Sequence, residues 1–211
     1  MSQRTLPPLP RIVIDDVVRR ALLEDLGRGD LTSDATVPLD VAGAPLLRAR
    51  EPSVVAGMDV FRATFAMVDP SIEVIRLVED GHAVDAGGVV ARVIGGANAI
   101  LKGERVALNF VQRMSGVATM TRCYVDALPA GSRTRITDTR KTTPGLRALE
   151  RYAVRCGGGY NHREDLGAAV LIKDNHIAAC GGVRAAVERA RARAPHPLRI
   201  ECEVTDLAEL A

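Results

Sequence analysis

Tryptophan is absent from this 211-residue chain, and aromatic residues altogether supply only 3% of it. Such a poverty of ring faces argues against single-stranded nucleic-acid binding by base stacking, and it makes any core aliphatic. Charge is nearly balanced: 28 Lys and Arg against 26 Asp and Glu give a net +2, too little for a nucleic-acid partner. The four cysteines, Cys123, Cys156, Cys180 and Cys202, show no CxxC spacing. They read as reduced, buried thiols rather than as disulfides or zinc ligands. No apolar run approaches the ~18 residues of a membrane span. The opening MSQRTLPPLP lacks the apolar centre of a signal peptide, so a cytoplasmic location is expected. Repeats and low-complexity tracts are absent, and prolines 7, 8 and 10 suggest a short extended arm.

The chain is long enough, at 47% hydrophobic content, for two small domains with real cores. Ile14, Val17, Val18, Ala21 and Leu22 recur at helical spacing within Val13 to Leu26, stopped by Gly27. GRGD at Gly27 to Asp30 is the stop and a turn, not an adhesion signal. Alternating stretches at Ala44 to Ala49, Ile72 to Val78 and Val89 to Ile94 predict strands. Turn signals stand at Asp80-Gly81 and Gly95-Gly96. A helix is expected at Asp59 to Met67, and a long one from Ala97 to Leu128, broken at Gly116. The pattern predicts an α+β sandwich over residues 1–115 and a second domain over 116–211.

In that second domain, Arg135 to Asp138, Ala169 to Ile172 and Leu198 to Val204 are strand-like. Helical stretches Leu146 to Cys156 and Val183 to Arg193 lie among them. Alternation of this kind implies parallel strands with crossover helices, whose carboxyl ends meet at one mouth. Arg140, Lys141 and Lys173 sit at such ends, and His162 and Arg163 follow a glycine-rich turn. Clustered cations repel unless anions compensate them, so a substrate with several carboxylates or phosphates is expected. Glu201 and Glu203 share one face of their strand, and a carboxylate beside a phosphate-rich ligand commonly supports Mg²⁺. The spacing leaves open which of the two faces the ligand. Arg147, Arg151 and Arg155, with Glu150 among them, read as a solvated helix face. His176 reads as structural, opening the turn into the next helix.

DTRKTTPGLRALERYAVRCGGGYNHR followed by LIKDNH resembles quinolinate phosphoribosyltransferase. EDLGRGDLTSD at Glu24 to Asp34 and GERVALNFVQRMSGVAT at Gly103 to Thr119 are similar to the same family, in the expected order. The resemblance implies an α/β chain: an N-terminal α+β sandwich, then a C-terminal α/β barrel. It implies transfer from phosphoribosyl pyrophosphate to quinolinate with decarboxylation, requiring Mg²⁺. Arg140, His162, Arg163 and Lys173 would then surround the quinolinate carboxylates, with Arg105 reaching in from the partner subunit of a homodimer or higher homo-oligomer. Lys141 would face phosphoribosyl pyrophosphate, Thr139 would also bind substrate, and Glu201 or Glu203 would serve the ribose. Glu201 would support the metal through water, and Lys141, Lys173 and Glu201 would be catalytic.

Two departures stand out. Glu164 and Asp165 follow Arg163 where the family carries a small or apolar residue and Gly, so a local ion pair could weaken its hold on substrate. The chain also stops at Ala211 after three strand-like stretches, and a fragment of a longer reading frame is expected. A molybdenum-transport-associated paralogue and a non-catalytic subunit are the alternatives.

Overall fold

The computed structural model describes residues 6–210. In chain order the elements begin with α1 (Arg11–Leu26), α2 (Leu31–Thr36), β1 (Ala42–Gly43), β2 (Leu46–Arg48), β3 (Ser53–Val54), α3 (Met58–Val68), β4 (Glu73–Arg76) and β5 (Ala83–Val84). They continue with β6 (Val89–Gly96), α4 (Ala97–Asp126), α5 (Arg147–Cys156), β7 (Val170–Ile172), α6 (Asp174–Cys180), α7 (Val183–Arg193), β8 (Ile200–Cys202) and α8 (Leu207–Leu210). Contacts divide the chain into two compact units, one ending at Asn161 and the other beginning at His162. The expected domain boundary at 115/116 falls inside α4, which runs unbroken through Gly116.

The first unit is built around β6. It pairs antiparallel with β1, β2 and β4, and a register shift between Leu47 and Arg48 bends β2 along it. Val90, Ala91 and Val93 of β6 are buried against Phe61 and Phe65 of α3 and Ile100, Ala107 and Val111 of α4. One sheet face is thereby covered by helices, the α+β sandwich that the alternating strands predict. Gly95 and Gly96 do not turn, contrary to the sequence reading; they end β6 and pair with Gly43 and Ala42 of β1. A Cβ on Gly95 would stand 2.9 Å from Ile72 Cγ1, so glycine serves close packing there.

Along the other side of α4, Val106, Phe110, Met114 and Ala118 pack with Ile14, Val17, Val18 and Leu22 of α1. Leu149, Tyr152, Ala153 and Cys156 of α5 close the same core. Asp80 ties it to the sandwich: its carboxylate accepts from the backbone N–H of Gly57 and Met58 at the start of α3, and from the Tyr152 hydroxyl at 2.8 Å. The strand expected at Arg135 to Asp138 shrinks to one parallel bridge, Thr137 to Tyr160. The GGGYN segment after α5 supplies its partner, a strand fragment too short and too glycine-rich to show a period.

In the second unit β7 and β8 are parallel, in register from Val170 opposite Ile200 to Ile172 opposite Cys202. Helices α6 and α7 connect them, as the alternation predicts. His176 does act structurally: its Nδ1 accepts the Lys173 backbone N–H at 3.0 Å, closing the first turn of α6. The four cysteines are free, but only Cys156 is buried; Cys123 is exposed. Among the described residues, no helix is long and apolar enough to cross a membrane.

Candidate active site

In the first unit the expected cation loop, Thr139 to Gly145, is fastened at both flanks. Upstream, Asp138 N–H donates to Tyr160 C=O, and Tyr160 N–H donates to Ile136 C=O. The Asp138 side chain, only 6% exposed, accepts from Arg151 at 3.2 Å and from Asn161 Nδ2 at 2.6 Å. Downstream, Glu150 accepts the Thr143 N–H at 3.1 Å and Arg113 Nη2 at 2.7 Å. Arg113 also donates to Thr143 Oγ1, and Arg147 Nε donates to Thr142 Oγ1. The helix that the sequence presents as a solvated charged face is therefore a clamp. Arg151 is 13% exposed and paired, Arg147 holds the loop, and Arg155 lies over the Tyr152 ring. Even spacing of charges on a helix does not reveal that a loop folds back over them.

Within the loop, Thr139 Oγ1 accepts the Lys141 N–H, tightening the turn that carries the two cations. Lys141 is exposed. Arg140 is half-buried, and its Nε is shielded from solvent with no acceptor among the described residues. A buried donor without an acceptor is costly, and an anion relieves that cost. Arg105 stands on the exposed side of α4.

The second unit brings together four of the expected residues as two side-chain pairs. His162 Nε2 lies 3.1 Å from Glu201 Oε2, and Lys173 Nζ lies 3.2 Å from Glu203 Oε1. Parallel pairing explains the arrangement. Glu203 N–H donates to Ile172 C=O at 2.9 Å, which sets Glu203 beside the residue that follows β7, Lys173. Both glutamates are more than half exposed, so these pairs are weak and a substrate carboxylate can replace them. Arg163 donates to Ala169 C=O, bracing the loop that contains Glu164 and Asp165.

Among the described residues, no three His, Cys, Asp or Glu side chains form a metal-sized cluster. Mg²⁺ carried on a polyphosphate needs only one or two carboxylates besides phosphate oxygens and water. Glu201, 58% exposed with one oxygen on His162, fits such a water-mediated support and not a closed cage. A separate cavity of about 950 Å³ in the first unit, walled by Phe61, Phe65, Val93, Ile100 and Val111, contains none of the expected site residues. Asp138, Glu150, Arg151 and Asn161 were not legible as site-shaping residues. The available signal was that Glu150 and Arg151 lie between core positions Leu149 and Tyr152.

Comparison with known proteins places these features in a family. The N-terminal domain model of quinolinate phosphoribosyl transferase matches residues 30–115, and the C-terminal domain model matches residues 117–211. A probable nicotinate-nucleotide pyrophosphorylase (carboxylating) of Synechocystis is 47% identical over 95% of this chain and 68% of its own length. The corresponding Bacillus subtilis protein is 47% identical over 86% of this chain and 62% of its own. The crystal structure of NadC from Streptococcus pyogenes superposes with a TM-score of 0.92 at 43% identity, covering 96% of this chain and 72% of that one. The chain thus spans roughly two thirds of the length of these relatives, 62% to 72% in these three cases. Two domain models in sequence order, together with this superposition, show that the chain belongs to the quinolinate phosphoribosyl transferase family.

Proposed function

We propose that the chain transfers a phosphoribosyl group from phosphoribosyl pyrophosphate to quinolinate with loss of CO₂, giving nicotinate mononucleotide and pyrophosphate for NAD biosynthesis. The observation that carries this reading is Arg140, on a loop pinned at Asp138 and Thr143, with a buried Nε that lacks an acceptor. Relatives named for the same reaction support it. Arg140, His162, Arg163 and Lys173 take the two carboxylates of quinolinate, and Arg105 joins them from the partner subunit of a homodimer. Thr139 and Lys141 serve phosphoribosyl pyrophosphate, Glu201 its ribose, and Glu203 stands beside it. The enzyme works in the cytoplasm.

Pyrophosphate leaves the anomeric carbon with the C–O bonding pair while Lys141 balances its growing charge. The pyridine nitrogen gives its lone pair to that carbon, forming the C–N bond. The quaternised ring then stabilises the electron pair left at C2 as the adjacent carboxylate departs as CO₂. A proton from water completes the product. Mg²⁺, when bound on the pyrophosphate with water-mediated support from Glu201, supplies further charge neutralisation. Catalysis is positioning and electrostatic preorganisation, with no covalent enzyme intermediate. The test is quinolinate-dependent pyrophosphate release with Mg²⁺. Arg163→Ala and Lys173→Ala should raise the quinolinate KM by at least about tenfold or abolish turnover. Ordinary kinetics in a folded variant counts against the assignment.

A further inference from the structure

Arg151 is largely shielded from the solvent. Its Nη1 reaches both Asp138 oxygens, at 3.3 and 3.2 Å, with the two side chains 13% and 6% exposed. Asn161 completes the cluster, donating to Asp138 Oδ2 at 2.6 Å and to Arg151 C=O at 2.9 Å. Asp138 is also the last residue before Thr139, Arg140 and Lys141, and its N–H is fixed to Tyr160. A single buried carboxylate thus accepts from a guanidinium and an amide side chain directly before the turn. The downstream flank is held independently by Glu150 and Arg113.

We propose that Arg151, acting through Asp138, is a positioning residue that holds the Thr139–Lys141 turn in its anion-binding form. The binding half of this inference rests on the phosphoribosyl-transfer reading; the loop-holding half does not. One guanidinium nitrogen, Nη1, serves both carboxylate oxygens, and lysine keeps the charge on a more flexible stem without the rigid guanidinium, so it restores only part of the effect. Removing one charge of a buried pair alone threatens the fold. Asp138→Asn, which keeps an acceptor for Asn161, and the neutral double variant Asp138→Asn with Arg151→Gln therefore accompany Arg151→Lys and Arg151→Gln.

Two readouts on the 211-residue chain decide it. Mild trypsin digestion followed by mass spectrometry compares cleavage at Lys141–Thr142 with cleavage elsewhere. Titration calorimetry with quinolinate gives the dissociation constant. In Arg151→Gln and Asp138→Asn, cleavage after Lys141 should accelerate about tenfold relative to other sites, marking local release of the turn. Quinolinate binding should weaken by about tenfold or more, because misplacing a binding group by an ångström is enough to do so. Arg151→Lys should fall between. Uniformly faster cleavage with unchanged binding in the variants would make Arg151 merely structural and overturn the proposal. If wild-type protein binds no quinolinate, the functional reading and the binding half fail together, and selective cleavage still judges the loop-holding half.

Discussion

Replacing Tyr152 with Phe removes one oxygen atom from a buried position and tests how the sandwich is tied to α5. Tyr152 is 7% exposed, and its hydroxyl donates to Asp80 Oδ2 at 2.8 Å. The ring keeps its packing, so the loss is that of a hydrogen bond to a charged acceptor, about 1.5–3 kcal/mol. For a chain of this length that lowers Tm by about 3–12 °C. Burial pushes the Asp80 carboxyl above its ordinary range, outweighing the Met58 and Gly57 amides and the Tyr152 hydroxyl, which favour its ionised form. A carboxyl raised in the folded state adds stability that is full below its unfolded pKa and is lost as pH rises through the folded value. Without the hydroxyl the folded pKa rises further, so that loss is larger in the variant. The stability gap between wild type and Tyr152→Phe should therefore be widest near neutral pH and shrink as the solution is acidified. Urea unfolding followed by far-ultraviolet circular dichroism at several pH values measures it. A gap below about 0.5 kcal/mol at neutral pH, or one that widens on acidification, would refute the role given to this hydrogen bond.

Gly157→Ala should destabilise by about 2 kcal/mol or more, because overpacking leaves a tight interface no low-strain arrangement. Its Cβ would lie 2.6 Å from Thr121 Cβ and closer still to the Ala118 carbonyl of α4; thermal unfolding checks it. Gly116→Ala should instead stabilise by about 0.5–1 kcal/mol in denaturant titration, since it fills a helix interior at no steric cost. A Cβ there meets nothing within 4 Å. Burial pushes the Cys156 thiol up to about 12, whereas Cys123 is exposed. A thiol reagent at pH 8 should modify Cys123 rapidly and Cys156 only on unfolding, as peptide mass mapping would show.

Periodicity was enough to place α1, α3, α4 and α5 and the central strand β6, because each buries a regular apolar face over several turns or pairs; α7 was placed too, although it buries only Ala186. It failed for β1, β3, β5 and the Tyr160 bridge, which are one or two residues long and owe their conformation to partners distant in sequence. It also misread Gly95-Gly96, since the same dipeptide suits a turn and a close strand contact.

The cationic residues were legible as charges from residue type, and Lys173 directly follows β7, whereas Arg140 and Lys141 follow only the single bridge at Thr137. Their surroundings were not legible. That Arg151 is buried on Asp138, that Glu150 and Arg113 pin Thr143, and that Glu201 and Glu203 pair with His162 and Lys173 depend on segments separated by up to 39 residues. Sequence determined by itself which charges and apolar faces exist, through local spacing. Only the tertiary structure decided which charges meet and which are shielded from water, because a charge acquires its partner and its dielectric surroundings from what folds over it.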